Sequence, residues 1–273
     1  MKKDLNTIVL IKQVPDAEDV KTDPETGRLI RDGAVTINPF DMFAIEEAIL
    51  LKEKYGGTVT VLTMGPPNAK YSLEFCLAMG VDDAVLLTDR AFAGADTIAT
   101  SYALAQGIKK VDKFDIVFCG VKTTDGDTGQ VGQDVAEFLN LPCVYYVDKI
   151  REINETSITV EKQFEDRMQV VQSELPVVLS MIKGANVPRF PTLAGKMGAR
   201  KKPIASYTAP DVEADPKQIG MEGSPTKVVR VFPPPKREKG RIMTENDKAI
   251  IELIRFLKGK NLIPELAIKK GGI

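Results

Sequence analysis

Val59-Thr60-Val61-Leu62-Thr63-Met64 is a short, β-branched strand pattern that stands between two helical patterns. The preceding helix is predicted to open at Asn38-Pro39-Phe40-Asp41, because an Asn can cap it, a Pro suits its first turn and an Asp favours the positive end of the helix dipole. That helix ends at Gly56-Gly57, and a second helix follows the strand through about Met79. A strand flanked by helices predicts the β-α-β alternation of an α/β protein.

The same alternation extends in both directions along the chain. Patterns typical of short buried strands occur at Ile8 to Ile11, at Ala84 to Leu87 and at Ile116 to Cys119. Helical patterns run from about Asp96 to Lys110 and onward from about Gln130. Strands that alternate with helices predict an α/β fold with a doubly wound, mainly parallel sheet.

After residue 150 the pattern changes from alternation to strand upon strand. Ser157 to Lys162 and Met168 to Ser173 predict an antiparallel ribbon at the sheet edge, and Pro176 to Met181 predicts a further buried strand. From about residue 185 the chain is rich in Pro, Gly and basic residues, which do not easily form a core. We therefore predict an extended C-terminal arm, ending in one amphipathic helix capped at Thr244 that docks on another protein.

The composition narrows the classes of function. The 273 residues carry 37 Lys and Arg against 38 Asp and Glu, and this net charge of −1 argues against a nucleic-acid partner. The absence of His excludes imidazole bases and imidazole metal ligands, and we expect no metal site. Cys76, Cys119 and Cys143 lie in apolar stretches, as expected of reduced core thiols. Without a signal-peptide or membrane-span pattern, we expect a cytoplasmic protein with no membrane insertion.

The loops that follow the strands form the candidate ligand site, since ligands bind beyond the carboxyl ends of the strands in an open α/β sheet. The stretch from Val121 to Gln133 is the richest: its glycines permit close backbone approach, and a new helix offers free N–H groups to a phosphate. A glycine-rich turn in which Asp127 or Thr128 caps that helix explains the same residues. Neither an EF-hand, a P-loop nor a GxGxxG motif is present.

Two further segments each have a plain and a functional interpretation. Gly94 to Ser101 fits a capped helix start, or a helix N-terminus with room for a ligand such as NADH. Arg189 to Lys202 carries five basic residues and no acid. It fits a solvated loop, or a docking surface for an acidic partner with Leu193 as an exposed apolar anchor.

Four motifs occur in a fixed order along the chain. They are Ile11-Lys12-Gln13-Val14-Pro15-Asp16, then Asn38-Pro39-Phe40-Asp41 with Ala44-Ile45-Glu46-Glu47-Ala48, then Asp125 to Gly132, and finally Asn186-Val187-Pro188-Arg189-Phe190-Pro191-Thr192-Leu193. Together they resemble the beta subunit of the electron transfer flavoproteins over nearly the whole chain. The family signature also fits along Lys162 to Ser180, although Arg167 stands where a Gly or an acid is usual, and Gln163 where many members carry a Glu.

The resemblance implies a pocket of the adenine nucleotide-binding type. Its residues would be Leu10, Asn38, Pro39, Phe40, Asp41, Met64, Thr123, Thr124, Asp125, Gly126, Asp127, Thr128, Gly129, Gln130, Val131, Gly132, Gln133 and Asp134. Conventional family members fill this pocket with AMP, whereas electron-bifurcating members hold FAD there, which accepts hydride from NADH. The stretch Asp125 to Gly132 resembles the bifurcating members, so FAD is favoured over AMP.

The resemblance also implies partners and a division of the chain. The partners would be an alpha subunit with a second FAD, an acyl-CoA dehydrogenase-type protein that docks on the loop at Leu193, and ferredoxin or flavodoxin. Residues 1–185 would form the nucleotide- or FAD-binding domain, 186–203 the partner-recognition loop, and 204–273 an arm and helix packed on the alpha subunit. The chain would be an electron carrier without catalytic side chains, oxidising NADH only within the heterodimer. A non-redox nucleotide-sensing module stays open as an alternative.

Overall fold

The computed structural model describes residues 4–16, 21–22, 29–30, 35–111, 113–229, 240, 242 and 247–263. The chain divides into two compact units, Met1–Val231 and Phe232–Ile273. The strands of the described residues all belong to the first unit. They are β1 (Thr7–Leu10), β2 (Gln13–Pro15), β3 (Lys21–Thr22), β4 (Leu29–Ile30), β5 (Val35–Ile37), β6 (Val59–Met64), β7 (Asp83–Leu87), β8 (Ile116–Gly120), β9 (Cys143–Ile153), β10 (Ser157–Gln163), β11 (Met168–Glu174), β12 (Val177–Met181) and β13 (Ala205–Tyr207).

One nine-stranded sheet dominates the first unit, with the order β11-β10-β9-β12-β8-β1-β6-β7-β13. Each neighbouring pair from β9 across to β13 is parallel. β10 pairs antiparallel with both β9 and β11, which makes a ribbon at one edge. The α/β, doubly wound, mainly parallel fold and the antiparallel edge ribbon are both confirmed.

Helices cover both faces of this sheet. They are α1 (Pro39–Tyr55), α2 (Lys70–Met79), α3 (Thr97–Lys110), α4 (Val131–Leu139) and α5 (Leu193–Ala199). Side chains of α1 and α2 share one buried cluster with Val9, while α3 and α4 share a second cluster with Ile8 and Leu10. Because successive side chains of a strand point to opposite faces, β1 contributes to both clusters and is covered on both sides.

The strand order predicts a crevice beside β1. From β1 the chain moves through β6 to β7 on one side, then returns through α3 to β8 on the other side of β1. The segments that follow β1 and β8 therefore leave the sheet in opposite directions. Such a switch point is where open α/β sheets bind their ligands, at the carboxyl ends of the strands.

The segment after residue 204 begins differently from the extended arm that we predict. β13 pairs parallel with β7 and extends the main sheet. Short 3-10 turns at Pro210–Val212 and Pro216–Gln218 follow it, and they place Val212 and Ile219 in the buried cluster under α3. A proline-rich segment can thus contribute to a core, because its single turns place isolated apolar side chains against the buried cluster that the sheet and α3 form.

The second unit contains one described helix, α6 (Asp247–Gly259), as the amphipathic pattern predicts. Its exposed apolar side chains are Ile250, Ile251, Leu253, Ile254 and Phe256. The predicted cap Thr244 lies outside the described residues. Among the residues that are described, no helix combines the length and apolar character needed to cross a bilayer.

Candidate nucleotide-binding site

Asn38 joins the start of α1 to the loop after β8. Its side chain is buried and makes no capping hydrogen bond, so the predicted capping role is wrong. Asn38 Nδ2 instead donates to the carbonyl oxygen of Lys122 at 2.9 Å, and Asn38 Oδ1 accepts from the backbone N–H of Thr124 at 3.3 Å. The Asn38 side chain therefore holds two backbone groups of the loop that follows β8, although Asn38 itself precedes α1.

Asp41 ties the same helix start to the segment after β1. Asp41 Oδ2 accepts from the backbone N–H of Lys12 at 2.7 Å, and Oδ1 accepts from Asn38 Nδ2 at 2.8 Å. Burial raises the pKa of Asp41 to about 7, against the hydrogen bonds from Asn38 and Lys12 that lower it. Because both oxygens of Asp41 accept hydrogen bonds from the protein, this carboxylate fixes the backbone around the crevice.

Two ion pairs neutralise the acidic side chains of the loop after β8. Lys12 Nζ lies 2.7 Å from Asp125, and Lys122 Nζ lies 2.7 Å from Asp127. Partial burial acts to raise the pKa of Asp125, but the hydrogen bond and charge of Lys12 outweigh it and hold that pKa below its ordinary value. Lys122 also lies 5.8 Å from the ring centroid of Phe40. Pairing of this kind reduces the repulsion that two bare carboxylates would exert on a phosphate.

The start of α4 is open. The helix begins at Val131, and the preceding Gln130 provides no side-chain cap. Neither Asp127 nor Thr128 caps it, so the capping explanation of these residues is wrong. The backbone N–H groups of Gln130, Val131 and Gly132 donate to no acceptor in the described part of the chain. Free N–H groups at the positive end of a helix dipole are suited to bind an anion.

Tyr145 on β9 fixes the turn in front of α4. Its hydroxyl donates to the carbonyl oxygen of Gly129 at 2.8 Å and accepts from the backbone N–H of Gln133 at 3.3 Å. Gly129 has a φ of +64°, a backbone region that favours glycine. Tyr145 is not among the residues predicted from the sequence, because nothing in its local pattern distinguishes it from an ordinary strand residue.

The Gly94 to Ser101 segment is a capped helix start, the plainer of its two interpretations. Asp96 accepts from the backbone N–H of Ala99 at 3.1 Å. The same carboxylate accepts from the backbone N–H of Thr226 at 2.9 Å. The N-terminus of α3 is therefore capped by a carboxylate of this chain, Asp96.

The remaining predicted residues lie at the ends of strands, in the loop after β8 or in the first turns of α1 and α4. Leu10 is buried in the cluster under α3 and α4, and Met64 is partly buried against that cluster at the end of β6. Thr123 accepts from the backbone N–H of Asp127 at 3.0 Å and so closes the turn. Burial and the charge of Asp96 raise the pKa of Asp134, in the first turn of α4. Pro39, Gly126 and Thr128 are exposed.

Residues 26–212 match the family model described as the electron transfer flavoprotein domain. This chain is a beta subunit of the electron transfer flavoprotein family. It is 48% identical over 262 residues to "Electron transfer flavoprotein subunit beta" of Thermoanaerobacterium thermosaccharolyticum, covering 95% of this chain and 100% of the relative. It is 44% identical to "Caffeyl-CoA reductase-Etf complex subunit CarD" of Acetobacterium woodii, with 95% and 100% covered. Bradyrhizobium diazoefficiens "Protein FixA" is 42% identical, with 96% and 95% covered.

In this electron transfer flavoprotein chain, residues 186–203, the predicted partner-recognition loop, contain α5. Thr192 caps that helix by accepting from the backbone N–H of Gly195 at 3.0 Å. Leu193, the predicted anchor, is 77% exposed. An exposed leucine on the first turn of a capped helix has the accessibility that docking would require.

Proposed function

We propose that this electron transfer flavoprotein beta subunit pairs with an alpha subunit and holds FAD in the crevice between the loops after β1 and β8. The observation that carries this proposal is the open start of α4, where Gln130, Val131 and Gly132 present N–H groups without acceptors in the described chain. A diphosphate can accept from such groups, and a helix of this length contributes its dipole to the binding.

The other residues of the crevice position this phosphate site. Lys12 and Lys122 keep the two aspartates of the loop paired, so the loop presents little net negative charge. Asn38 holds the turn at Thr124, and Tyr145 holds the turn at Gly129. Rigid turns lower the entropy that must be lost when a ligand binds.

The redox chemistry belongs to the cofactor, which suits a chain without His. Held in this crevice, FAD would supply the redox chemistry: a two-electron hydride transfer from NADH, balanced by one electron to ferredoxin or flavodoxin and one to the FAD of the alpha subunit. The chain's own residues bind and orient the group and need no catalytic side chain. Three free cysteines fit a reducing compartment, and we place the protein in the cytoplasm.

The terminal partner in this proposal is an acyl-CoA dehydrogenase-type protein that docks at Leu193. The exposed Leu193, with the exposed cations Lys196 and Lys201 nearby in sequence, supports a surface of mixed apolar and basic character. The name of the relative from Acetobacterium woodii places that protein in a complex with a caffeyl-CoA reductase, which is in keeping with a CoA-ester enzyme as partner.

Counting the nucleotides of the purified heterodimer tests the proposal. The bifurcating form predicts two FAD and no AMP per heterodimer, and a visible spectrum bleached by NADH. One FAD and one AMP would instead identify a conventional electron transfer flavoprotein, in which AMP fills the same crevice. A colourless homodimer that retains ATP would favour the nucleotide-sensing alternative. In the variant Tyr145→Phe, unchanged nucleotide content would argue against the crevice as the binding site.

A further inference from the structure

The start of the predicted recognition loop is fastened to α1. Asn186 Nδ2 donates to the carbonyl oxygen of Phe43 and to Glu47 Oε2, both at 3.0 Å. Burial raises the pKa of Glu47, against the hydrogen bond from Asn186. These contacts join positions that are 143 and 139 residues apart in the chain. The loop therefore begins from a fixed point.

Arg189 makes the second and larger part of this fastening. Its backbone N–H donates to Glu46 Oε2 at 2.9 Å, and its Nε donates to the same oxygen at 3.0 Å. One terminal nitrogen donates to Glu46 Oε1 at 2.9 Å and to Glu53 Oε2 at 3.1 Å, while the other donates to Glu53 Oε1 at 2.5 Å. The guanidinium thus bridges two carboxylates of α1, which lie two turns apart on one helix face.

Because its donors are occupied by Glu46 and Glu53, Arg189 is not a free cation that could pair with a partner protein. The Arg189 hydrogen bond holds the pKa of Glu53 below its ordinary value, so the Glu53 carboxylate stays paired at neutral pH. Lys202 is similarly occupied, since its Nζ donates to the carbonyl oxygens of Val81 and Asp82. Three exposed cations of the basic stretch make no ion pair with any residue that the structure describes: Lys196, Arg200 and Lys201.

A second fastening lies in α5. A Cβ on Gly195 would overlap the carbonyl oxygen of Ala78, so α5 packs directly on the end of α2. Near and between the two fastenings, four apolar side chains are 62–88% exposed: Val187, Phe190, Leu193 and Met197. A backbone held on both sides of such a surface loses little further entropy when a partner covers it.

We propose that Arg189 is a positioning residue that holds the apolar surface of Phe190 and Leu193 ready for the partner, rather than a cation that binds the partner. This assignment rests on the proposed function, because it takes Leu193 as the docking anchor. Its physical basis is the bridge to Glu46 and Glu53, which a Lys cannot reproduce since one ammonium lacks the planar fork of a guanidinium.

Two readouts on the purified heterodimer separate positioning from direct contact. The first is the KM of the wild-type and variant heterodimers for a purified acyl-CoA dehydrogenase that reduces or oxidises the wild type. The second is amide hydrogen exchange of residues 190–199. Arg189→Gln, Arg189→Lys and Glu53→Gln should each raise KM about fivefold with kcat nearly unchanged, and should speed exchange in that segment. The double variant Arg189→Gln/Glu53→Gln should be no worse than either single variant.

Lys201→Gln is the matched control, because it removes an exposed cation of the same segment without touching the bridge to α1. It should leave hydrogen exchange unchanged even where it raises KM. A raised KM in Arg189→Gln together with a normal KM in Glu53→Gln would show direct contact with the partner and overturn the assignment. Unchanged exchange in both variants would do the same. If the wild-type heterodimer exchanges electrons with no dehydrogenase, the proposed function fails, while the exchange data still decide whether Arg189 fixes the loop.

Discussion

Lys12 and Asp41 are joined by a 2.7 Å hydrogen bond from the Lys12 backbone N–H to the Asp41 carboxylate, across 29 positions of sequence. The side chain of Lys12 pairs at the same time with Asp125 in the loop after β8. One residue thus connects the start of α1 to the opposite wall of the crevice. Substitutions at these positions should therefore affect stability and nucleotide binding together.

The first prediction concerns pH and Asp41. Burial raises its pKa in the folded state from 3.8 to about 7. The protonated form is thus favoured by folding, and the associated stability is full below about pH 4 and is lost as pH rises through about 7. The contribution changes by up to about 1.4 kcal/mol per pH unit in that window. Denaturant unfolding of the wild type and Asp41→Asn from pH 5 to 8 measures it.

Asp41→Asn cannot ionise and should lack this component. The difference in unfolding free energy between wild type and variant should therefore shrink as pH rises. A difference that is constant from pH 5 to 8 would mean that Asp41 titrates near its unfolded value.

The second prediction concerns Tyr145, whose hydroxyl bridges Gly129 and Gln133. Tyr145→Phe keeps the ring but leaves both backbone groups without this partner. The free energy of unfolding should fall by about 1–2 kcal/mol, and nucleotide content should drop because the turn before α4 loosens. Calorimetric titration with AMP and FAD measures the affinity. Tyr146→Phe, a change at an adjacent and half-exposed tyrosine, is the control and should be neutral.

The third prediction concerns Gly132 in the first turn of α4. A Cβ at this position would lie 2.5 Å from Cys119 Sγ, so Gly132→Ala should shift the helix start and destabilise the fold by about 1–3 kcal/mol. Adding Cys119→Ala makes room for that methyl group. The double variant should therefore be more stable than the sum of the single effects implies, as a double-mutant cycle would show. Strict additivity of the two changes would contradict the close contact.

The fourth prediction concerns Leu193, the proposed docking anchor, which is 77% exposed. Leu193→Ala should lower kcat/KM for the dehydrogenase partner about tenfold, because docking surfaces concentrate their binding energy in a few apolar side chains. Nucleotide content and thermal stability should not change. Leu50→Ala, at a partly exposed leucine on α1, serves as the control. Loss of bound nucleotide in Leu193→Ala would refute a role confined to docking.

The fifth prediction compares two glycines of the same short helix. A Cβ on Gly195 would overlap the backbone of Ala78, whereas a Cβ on Gly198 would meet no atom within 4 Å. Gly195→Ala should therefore lift α5 from α2, speed hydrogen exchange there and raise KM for the partner. Gly198→Ala should be neutral or slightly stabilising, since Ala is the better helix former. Similar behaviour of the two variants would argue against a tight seat for α5.

Local patterns predicted the elements well and the side-chain partners poorly. The start of α1 at Pro39 and the capped start of α3 at Asp96 follow from residue types within one turn. The predicted capping role of Asn38 is wrong, because its side chain donates to the carbonyl oxygen of Lys122, 84 positions away, and makes no capping hydrogen bond to the helix that it precedes. The pairing of Ala205–Tyr207 with β7 also has no local signal, since β7 is remote in sequence.

The sequence by itself determined the alternation of strands and helices, the edge ribbon and the glycine-rich loop, because periodicity and turn chemistry act over a few residues. The tertiary structure decided which loops meet. Only the order of the sheet places β1 beside β8, and so brings Lys12 to Asp125 and leaves the start of α4 without a cap. Likewise, only the packing of residue 189 on α1 converts a cation of the basic stretch into a bridge between Glu46 and Glu53. Such partners depend on how strands are ordered in space, which no local pattern encodes.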